Sequence, residues 1–265
     1  MDSLQAIILA FVQGITEFLP VSSSGHLVLV PKLLGWEDQG LAFDVAAHVG
    51  SLLAVLLYFR REVMLIVNDT THNLFGGAGT ENSRLGWQIV FATIPVGLAG
   101  LLMGDWVETT LRAPENIAYA AIIFALILWW VDKHNRQARD IKALNWKDIL
   151  VIGIAQAVAL IPGVSRSGMT ITAALLMGLK RDDAARFSFL MAIPVIVLAG
   201  GLKALELLKT ELPIDWGILG LGVGVSAVVA FACIHWFLGF IKRFSMVPFS
   251  LYLLALGAFT LYVFR

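Results

Sequence analysis

Apolar residues run along this chain in long stretches that are separated by short polar segments. Six stretches predict single membrane-crossing helices, because a span needs about 17–25 predominantly apolar residues. We place these spans at about 42–60, 86–104, 116–131, 185–205, 216–238 and 247–264. Two further apolar stretches, 3–35 and 148–178, are interrupted by polar residues, the first from Pro20 to Gly25 and the second from Pro162 to Gly168.

The two interrupted stretches predict re-entrant hairpins rather than pairs of spans. Each arm holds only about 11–16 residues, which is short for a bilayer crossing. Irregular backbone at membrane depth is tolerated only where it lines a cavity inside the protein. The predicted fold class is therefore an all-α polytopic membrane protein with six full transmembrane spans and two re-entrant helical hairpins.

Composition supports a membrane protein and argues against one class of partner. Hydrophobic residues make up 58% of the 265 residues and charged residues 14%, whereas soluble domains carry about 25% charged residues. The formal net charge is zero, so nothing electrostatic favours nucleic-acid binding. The expected surroundings are the lipid bilayer.

The distribution of Lys and Arg tests the span count and orients it. If both termini are outside and each hairpin returns to its own face, 13 of the 19 basic residues lie in inside loops and 5 outside. Inside loops carry this excess in membrane proteins. The remaining basic residue, Arg166, lies in the second interruption.

One 14-residue segment occurs twice. Gln13–His26 aligns without a gap on Gln156–Met169, with Gln, Val, Ser, Ser and Gly at identical spacing. The first hairpin enters from outside and the second from inside, so the halves form an inverted-topology repeat whose interruptions meet within the membrane. We predict a single domain, 1–265, with repeat halves 1–131 and 148–265 joined by a cytoplasmic linker, 132–147.

Arg166 is the first candidate for chemistry, because an ionisable group inside an apolar segment is costly and marks a functional site by default. A helix that starts beside it would add backbone N–H groups, and a guanidinium suits phosphate geometry. Ser165, Ser167 and Thr170 would complete this anion site. Alternatively, Arg166 serves only to pair with Glu17.

The first interruption supplies different groups. Glu17 is the acid within this hairpin, Gln13 precedes it by one helical turn, and His26 follows three serines, Ser22, Ser23 and Ser24. A carboxylate, an activated hydroxyl or imidazole and an anion clamp are the parts of phosphoryl transfer by a positioned nucleophile. Glu17 is also a candidate ligand for a divalent metal.

Two other patterns have simpler interpretations. Asp44 and His48, at the start of the first span, are spaced as a surface pair, and contact with the site is the less favoured alternative. Gly100-x-x-x-Gly104 and Gly220-x-x-x-Gly224 permit close helix packing, either within the fold or in a homodimer.

These motifs resemble those of the undecaprenyl-diphosphate phosphatase family, the BacA-type bacitracin resistance proteins. The resemblance rests on Gln13-x-x-x-Glu17, on Pro20-Val-Ser-Ser-Ser-Gly-His26 and on Pro162-Gly-x-Ser-Arg-Ser-x-x-Thr170, and it extends over essentially the whole chain. Gln13 stands where other members of the family carry Glu, so any essential acid role falls on Glu17.

The resemblance implies removal of the terminal phosphate from undecaprenyl diphosphate, with a divalent cation such as Mg or Ca. It implies an inner-membrane location and a site that opens to the periplasm. Glu17, Ser23, His26 and Arg166 would be the principal residues, with either Ser23 or His26 as nucleophile. Ser22, Ser24, Ser165, Ser167 and Thr170 would then line the phosphate pocket.

Two other classes compete with this interpretation. A secondary transporter or lipid flippase also uses inverted repeats and broken helices that meet at mid-membrane. Another class of membrane lipid phosphatase resembles Ser-Arg followed six residues later by His, but this chain has Thr172 at that position.

Overall fold

The chain folds entirely into helices and turns over the residues that the computed structural model describes, 1–207 and 215–264. The α-helices in chain order are α1 Ser3–Thr16, α2 Ser23–Leu34, α3 Gly40–Tyr58, α4 Arg60–Leu74, α5 Glu81–Thr110, α6 Pro114–His134, α7 Trp146–Val158, α8 Arg166–Leu176, α9 Arg181–Leu207, α10 Trp216–Ile241 and α11 Val247–Val263. One 3₁₀ turn, Ile141–Ala143, lies in the linker between α6 and α7.

The full spans match the sequence prediction. Five helices, α3, α5, α6, α9 and α10, are long and apolar enough to cross a membrane. The sixth, α11, has 17 residues, at the lower end of the length that a bilayer requires. The fold class, an all-α polytopic membrane protein, is confirmed.

Each interrupted stretch forms two short helices joined by a turn. The arms α1, α2, α7 and α8 hold 14, 12, 13 and 11 residues. At 1.5 Å per residue they reach roughly 17–21 Å, less than a hydrocarbon core of about 30 Å. Arms of this length turn back within the membrane, as the re-entrant prediction requires.

Helix α4 is missing from the sequence prediction, which treated this segment as a loop. Its 15 residues include Arg60, Arg61 and Glu62, so no membrane-length apolar run marks it. Ile66 is its buried residue and packs with Thr70 against Gly86 of α5. Helix α4 is thus a short amphipathic element attached to the span that follows it.

Each hairpin packs against a span from the other half of the chain. Helix α1 of the first hairpin packs on α10, and α7 of the second hairpin packs on α5. A duplicated unit produces such a reciprocal pair of contacts. Glycines permit both contacts: a Cβ at Gly14 would lie 2.8 Å from Val229 Cβ, and one at Gly153 would lie 2.9 Å from the Ala92 carbonyl oxygen. The division into halves at 131 and 148 stays a prediction.

The two glycine-x₃-glycine motifs do not bring helices together inside the chain. Among the described residues, a Cβ added at Gly100, Gly104, Gly220 or Gly224 would meet no atom within 4 Å. Packing within the fold is therefore the wrong interpretation of these motifs. Contact with a second copy of the chain stays a prediction.

We predict that Gly50→Ala destabilises the packing of α3 on α10. A Cβ at Gly50 would lie 2.5 Å from the Val223 carbonyl oxygen, and backbone cannot move aside as a flexible side chain can. Overpacking of this kind lowers the free energy of unfolding by about 1–3 kcal/mol. Thermal unfolding in detergent measures the loss.

The control for this prediction is Gly224→Ala, because open space surrounds Gly224 on α10. Alanine favours a helix over glycine by roughly 0.5–1 kcal/mol, so this variant should unfold at the same temperature or higher. Equal losses in the two variants would contradict the proposed close contact.

Candidate active site

The two interruptions bring two helix N-termini to one place. Ser22 caps α2, where its Oγ accepts a hydrogen bond from the Gly25 N–H at 3.3 Å. Ser165 caps α8 in the same way, accepting from the Gly168 N–H at 3.1 Å. Helix N-termini carry partial positive charge and bind anions. The duplicated sequence therefore folds into a duplicated anion-attracting helix start.

Glu17 lies between these helix starts and is nearly buried, with 6% of its surface exposed. Its Oε1 accepts a hydrogen bond from Arg166 Nη2 at 2.8 Å. Its Oε2 accepts from Ser23 Oγ at 2.6 Å and from Gln13 Nε2 at 2.9 Å. The predicted residues Gln13, Glu17, Ser23 and Arg166 thus form one cluster.

Arg166 does more than pair with Glu17. Its Nη1 is buried and has no hydrogen-bond partner among the described residues. Buried polar groups are nearly always paired, so an orphaned guanidinium nitrogen needs an explanation. An anionic ligand would satisfy it through a charge-assisted hydrogen bond. Pairing with Glu17 as the sole role leaves this nitrogen unexplained.

The ring of His26 has a defined hydrogen-bonding state. Its Nδ1 lies 2.7 Å from the Ser22 carbonyl oxygen, and because a carbonyl only accepts, Nδ1 carries the hydrogen. In a neutral ring Nε2 then accepts, and the Tyr252 hydroxyl donates to it at 2.6 Å. Ser22 has φ 68°, a left-handed conformation that is strained for serine. This turn directs the Ser22 carbonyl at the His26 ring.

Tyr252 joins the site without having been predicted in it, and His48 joins it as the less favoured alternative for the Asp44–His48 pair. Tyr252 lies on α11 and stacks on His26, with ring centroids 5.7 Å apart. His48 Nδ1 bonds the Asp44 carbonyl oxygen at 2.7 Å, and His48 Nε2 lies 3.7 Å from Glu17 Oε2. The surface-pair interpretation of Asp44 and His48 is therefore wrong.

A sequence signal existed for one of these two residues. His48 is a polar, ionisable residue inside a predicted span, the same criterion that marked Arg166. Tyr252 carries no such signal, because tyrosines are common near span ends.

The remaining serines and Thr170 are occupied by contacts within the protein. Ser165 Oγ and Ser167 Oγ both donate to the Leu19 carbonyl oxygen, at 3.3 and 2.9 Å. Thr170 Oγ1 lies 2.6 Å from Ser188 Oγ. These bonds join the two hairpins and attach the second one to α9. A phosphate-binding role for Ser165, Ser167 and Thr170 stays a prediction.

Ser24 is the exposed member of the serine run. Its Oγ lies 3.4 Å from Ser22 Oγ, and either hydroxyl can donate. A phosphate-binding role for Ser24 stays a prediction.

The described residues supply no preformed cage for a metal ion. No group of three or more His, Cys, Asp or Glu side chains converges within 1–207 and 215–264. Glu17 can offer one oxygen, Oε1, which has a single partner in Arg166. This donor set fits a cation that takes most of its ligands from phosphate and water, as Mg²⁺ does.

Together, the fold and the site define a polytopic membrane protein with a carboxylate–serine–arginine cluster between two re-entrant hairpins. A sequence model of the bacitracin resistance protein BacA matches residues 6–259, and the chain belongs to this family.

Relatives similar over their whole length carry one enzyme name. The chain is 55% identical to "Undecaprenyl-diphosphatase 2" of Stutzerimonas stutzeri, over 100% of the chain and 99% of that relative. It is 53% identical to "Undecaprenyl-diphosphatase" of Thioalkalivibrio sulfidiphilus and 51% identical to that of Nitrosococcus oceani, over 100% of both chains in each case.

We predict that Glu17→Gln destabilises the protein by about 3–5 kcal/mol, because it leaves the largely buried Arg166 guanidinium without its counter-charge. The matched control is Glu62→Gln, which breaks a more exposed pair with Arg186 that should contribute about 0–1 kcal/mol. Thermal unfolding in detergent compares the two losses. A smaller loss for Glu17→Gln than for Glu62→Gln would contradict a structural role of the Glu17–Arg166 pair.

Proposed function

We propose that this protein is a membrane phosphatase that hydrolyses undecaprenyl diphosphate to undecaprenyl phosphate and inorganic phosphate. The observation that carries the proposal is the cluster in which Glu17 binds Ser23 and Arg166 between two helix N-termini. The names of the whole-length relatives support the same substrate. Hydrolysis would return the carrier lipid to cell-wall synthesis, and removal of its diphosphate form accounts for resistance to bacitracin.

Arg166 is the proposed phosphate clamp. Its unpaired Nη1 would bind a terminal phosphate oxygen while Nη2 stays on Glu17. The N-termini of α2 and α8 add partial positive charge on either side. This arrangement stabilises the charge that builds on the transferring phosphoryl group.

Ser23 is the proposed nucleophile and Glu17 its base. The Ser23 hydroxyl already donates to Glu17 at 2.6 Å, within proton-transfer distance. As the bond from Ser23 Oγ to the terminal phosphorus forms, the bond from that phosphorus to the bridging oxygen breaks. The Ser23 proton passes to Glu17, and the bridging oxygen leaves with the lipid phosphate.

His26 is the proposed base of the second step. A water molecule would attack the phosphorus of phosphoserine 23, give its proton to His26 Nε2 and release inorganic phosphate. Ser23 Oγ would recover the proton held by Glu17. Nε2 is bound to Tyr252 in this structure, so Tyr252 has to turn aside before water is activated.

A divalent cation, Mg²⁺ or Ca²⁺, would enter this site with the substrate. Glu17 is the side chain that would hold it, together with the oxygens of the diphosphate. The cation would neutralise negative charge on the diphosphate.

We infer from the distribution of Lys and Arg that both termini lie outside the bacterial inner membrane and that the site opens to the periplasm. The diphosphate would then lie at the cluster with the polyprenyl chain among the spans.

The decisive experiment is phosphate release from polyprenyl diphosphate by purified protein in detergent. Arg166→Ala, Ser23→Ala, Glu17→Ala and His26→Ala should each lower the rate by about 10²–10⁴-fold, because each removes a positioned group. Chelation of divalent cations should lower the rate of the unmutated protein. Phosphate release without any gradient separates a phosphatase from a transporter, which would release none.

The same assay identifies the nucleophile through the phosphoenzyme. With substrate labelled in the terminal phosphate, His26→Ala should accumulate acid-stable label on Ser23, since the second step loses its base. An acid-labile phosphoenzyme that survives in Ser23→Ala would instead assign the attack to His26.

We predict that Tyr252→Phe raises the rate at which phosphoserine 23 is hydrolysed by about 2–10-fold, because no hydroxyl has to leave His26 Nε2 before water is activated. The variant removes one hydrogen bond, with a net contribution of about 0.5–1.5 kcal/mol, but keeps the stacked ring. ¹⁵N NMR of labelled histidine should show a changed Nε2 signal for His26. Tyr262→Phe on the same helix is the control, because Tyr262 is 84% exposed. An unchanged His26 signal would contradict the proposed contact.

A further inference from the structure

A second cavity lies at the end of α6, away from the proposed active site. Its volume is about 500 Å³, within the range of small-ligand pockets. It lies between the end of α6, the linker that follows and the end of α8. Trp130, His134, Arg136, Arg139, Met177 and Gly178 are among its lining residues.

This cavity continues into an apolar groove on the outer surface of α6. The groove has a volume of about 540 Å³ and shares Trp130, Val131 and Leu176 with the cavity. Leu126 and Trp129 extend it along a helix that is long and apolar enough to span the membrane. The chamber, which is lined by both polar and apolar residues, thus opens onto an apolar groove.

The chamber is positively charged, and part of this charge has no acidic partner among the described residues. No residue that lines it is acidic. Arg139 is neutralised by Asp148 at 2.6 Å. Arg136 is exposed, and no contact within the described residues pairs its guanidinium. Positive charge at the rim of an apolar groove, from Arg136 and from Lys133 at the edge, favours an anionic headgroup over a zwitterionic one.

The walls of the chamber are fixed by bonds between distant segments. Arg139 Nη1 donates to the Met177 carbonyl oxygen at 2.7 Å. The N–H groups of Ala138 and Arg139 both donate to the Gly178 carbonyl oxygen, at 3.1 and 3.0 Å. At its edge, Lys133 Nζ lies 5.2 Å above the Trp129 ring, as at a membrane interface. The chamber is preformed rather than a gap between loose loops.

The chamber is separate from the catalytic cluster along α6. The second interruption meets this helix at Ile117, beside Gly163, and at Phe124, beside Gly168, and the first meets it at Ile117, beside Gly25. His134 lies 10 residues beyond Phe124 and 17 beyond Ile117, roughly 15–25 Å at the rise of an α-helix.

We propose that this chamber and groove bind an anionic glycerophospholipid of the bilayer. Its phosphate would lie at Arg136, with His134 and Asn135 beside it, and an acyl chain would follow Trp130, Trp129 and Leu126. Basic pockets between transmembrane helices bind such headgroups. The proposal does not depend on the phosphatase reaction, because it uses none of the catalytic residues.

Native mass spectrometry of the purified, delipidated chain tests the proposal. Phosphatidylglycerol and phosphatidylcholine with identical acyl chains are titrated, and the first dissociation constant is measured for each. Phosphatidylglycerol should bind at least about fivefold more tightly, given about 1 kcal/mol per basic residue near an anionic headgroup. Arg136→Ala should remove that preference, and Arg136→Lys should retain most of it.

Three controls keep the proposal falsifiable. Arg243→Ala changes an exposed arginine in another loop and should leave the preference intact. Leu126→Ala should weaken the binding of both lipids by a similar factor, since Leu126 lines the groove for the acyl chain and not the headgroup chamber. Unchanged phosphate release by Arg136→Ala confirms that the variant is folded.

Several results would overturn the proposal that the chamber binds an anionic lipid. One is equal binding of the two lipids by the unmutated protein. Another is equal loss of preference in Arg136→Ala and Arg243→Ala, because the preference would then depend on the overall surface charge and not on the chamber. Displacement of phosphatidylglycerol by equimolar glycerol 3-phosphate would assign the chamber to soluble phosphates instead.

Discussion

A helix that breaks inside a membrane must satisfy its freed backbone groups without water, and this requirement shapes the centre of the protein. Ser22 and Ser165 cap the helices that restart after each break. The Leu19 carbonyl in the first break accepts hydroxyl hydrogens from Ser165 and Ser167 in the second. The two breaks are therefore joined to each other by hydrogen bonds, while each caps its own helix.

The buried ion pair follows from the same arrangement. Ser23 and Arg166 occupy equivalent positions in the duplicated segment, and each is the first residue of its helix. They bind opposite oxygens of Glu17, which has Leu160 as its counterpart in the second copy. The two copies thus share a helix start, while they differ at its first residue, which is a hydroxyl in one copy and a guanidinium in the other.

The same local hydrogen bond orients two histidine rings. His26 and His48 each bond through Nδ1 to a carbonyl four residues earlier, which leaves Nε2 facing the site. On opposite sides of the cluster, Nε2 of His26 meets Tyr252 and Nε2 of His48 approaches Glu17. Helical geometry rather than a dedicated side chain fixes the available nitrogen in both rings.

The sequence by itself determined the spans, the two interruptions and the identity of Gln13, Glu17, Ser23, His26 and Arg166 as a group. These features depend on apolar length and on ionisable residues that are costly in lipid, and both are visible along the chain. Helix α4 was not predicted, because its amphipathic residues form no long apolar run.

Only the tertiary structure decided which groups touch. Tyr252 reaches His26 across 226 residues, a distance that no spacing rule connects. Helix packing placed His48 beside Glu17 and turned Ser165 and Ser167 toward the Leu19 carbonyl. A sequence pattern specifies which face of a helix is polar, but the partner of that face is set by how the helices pack.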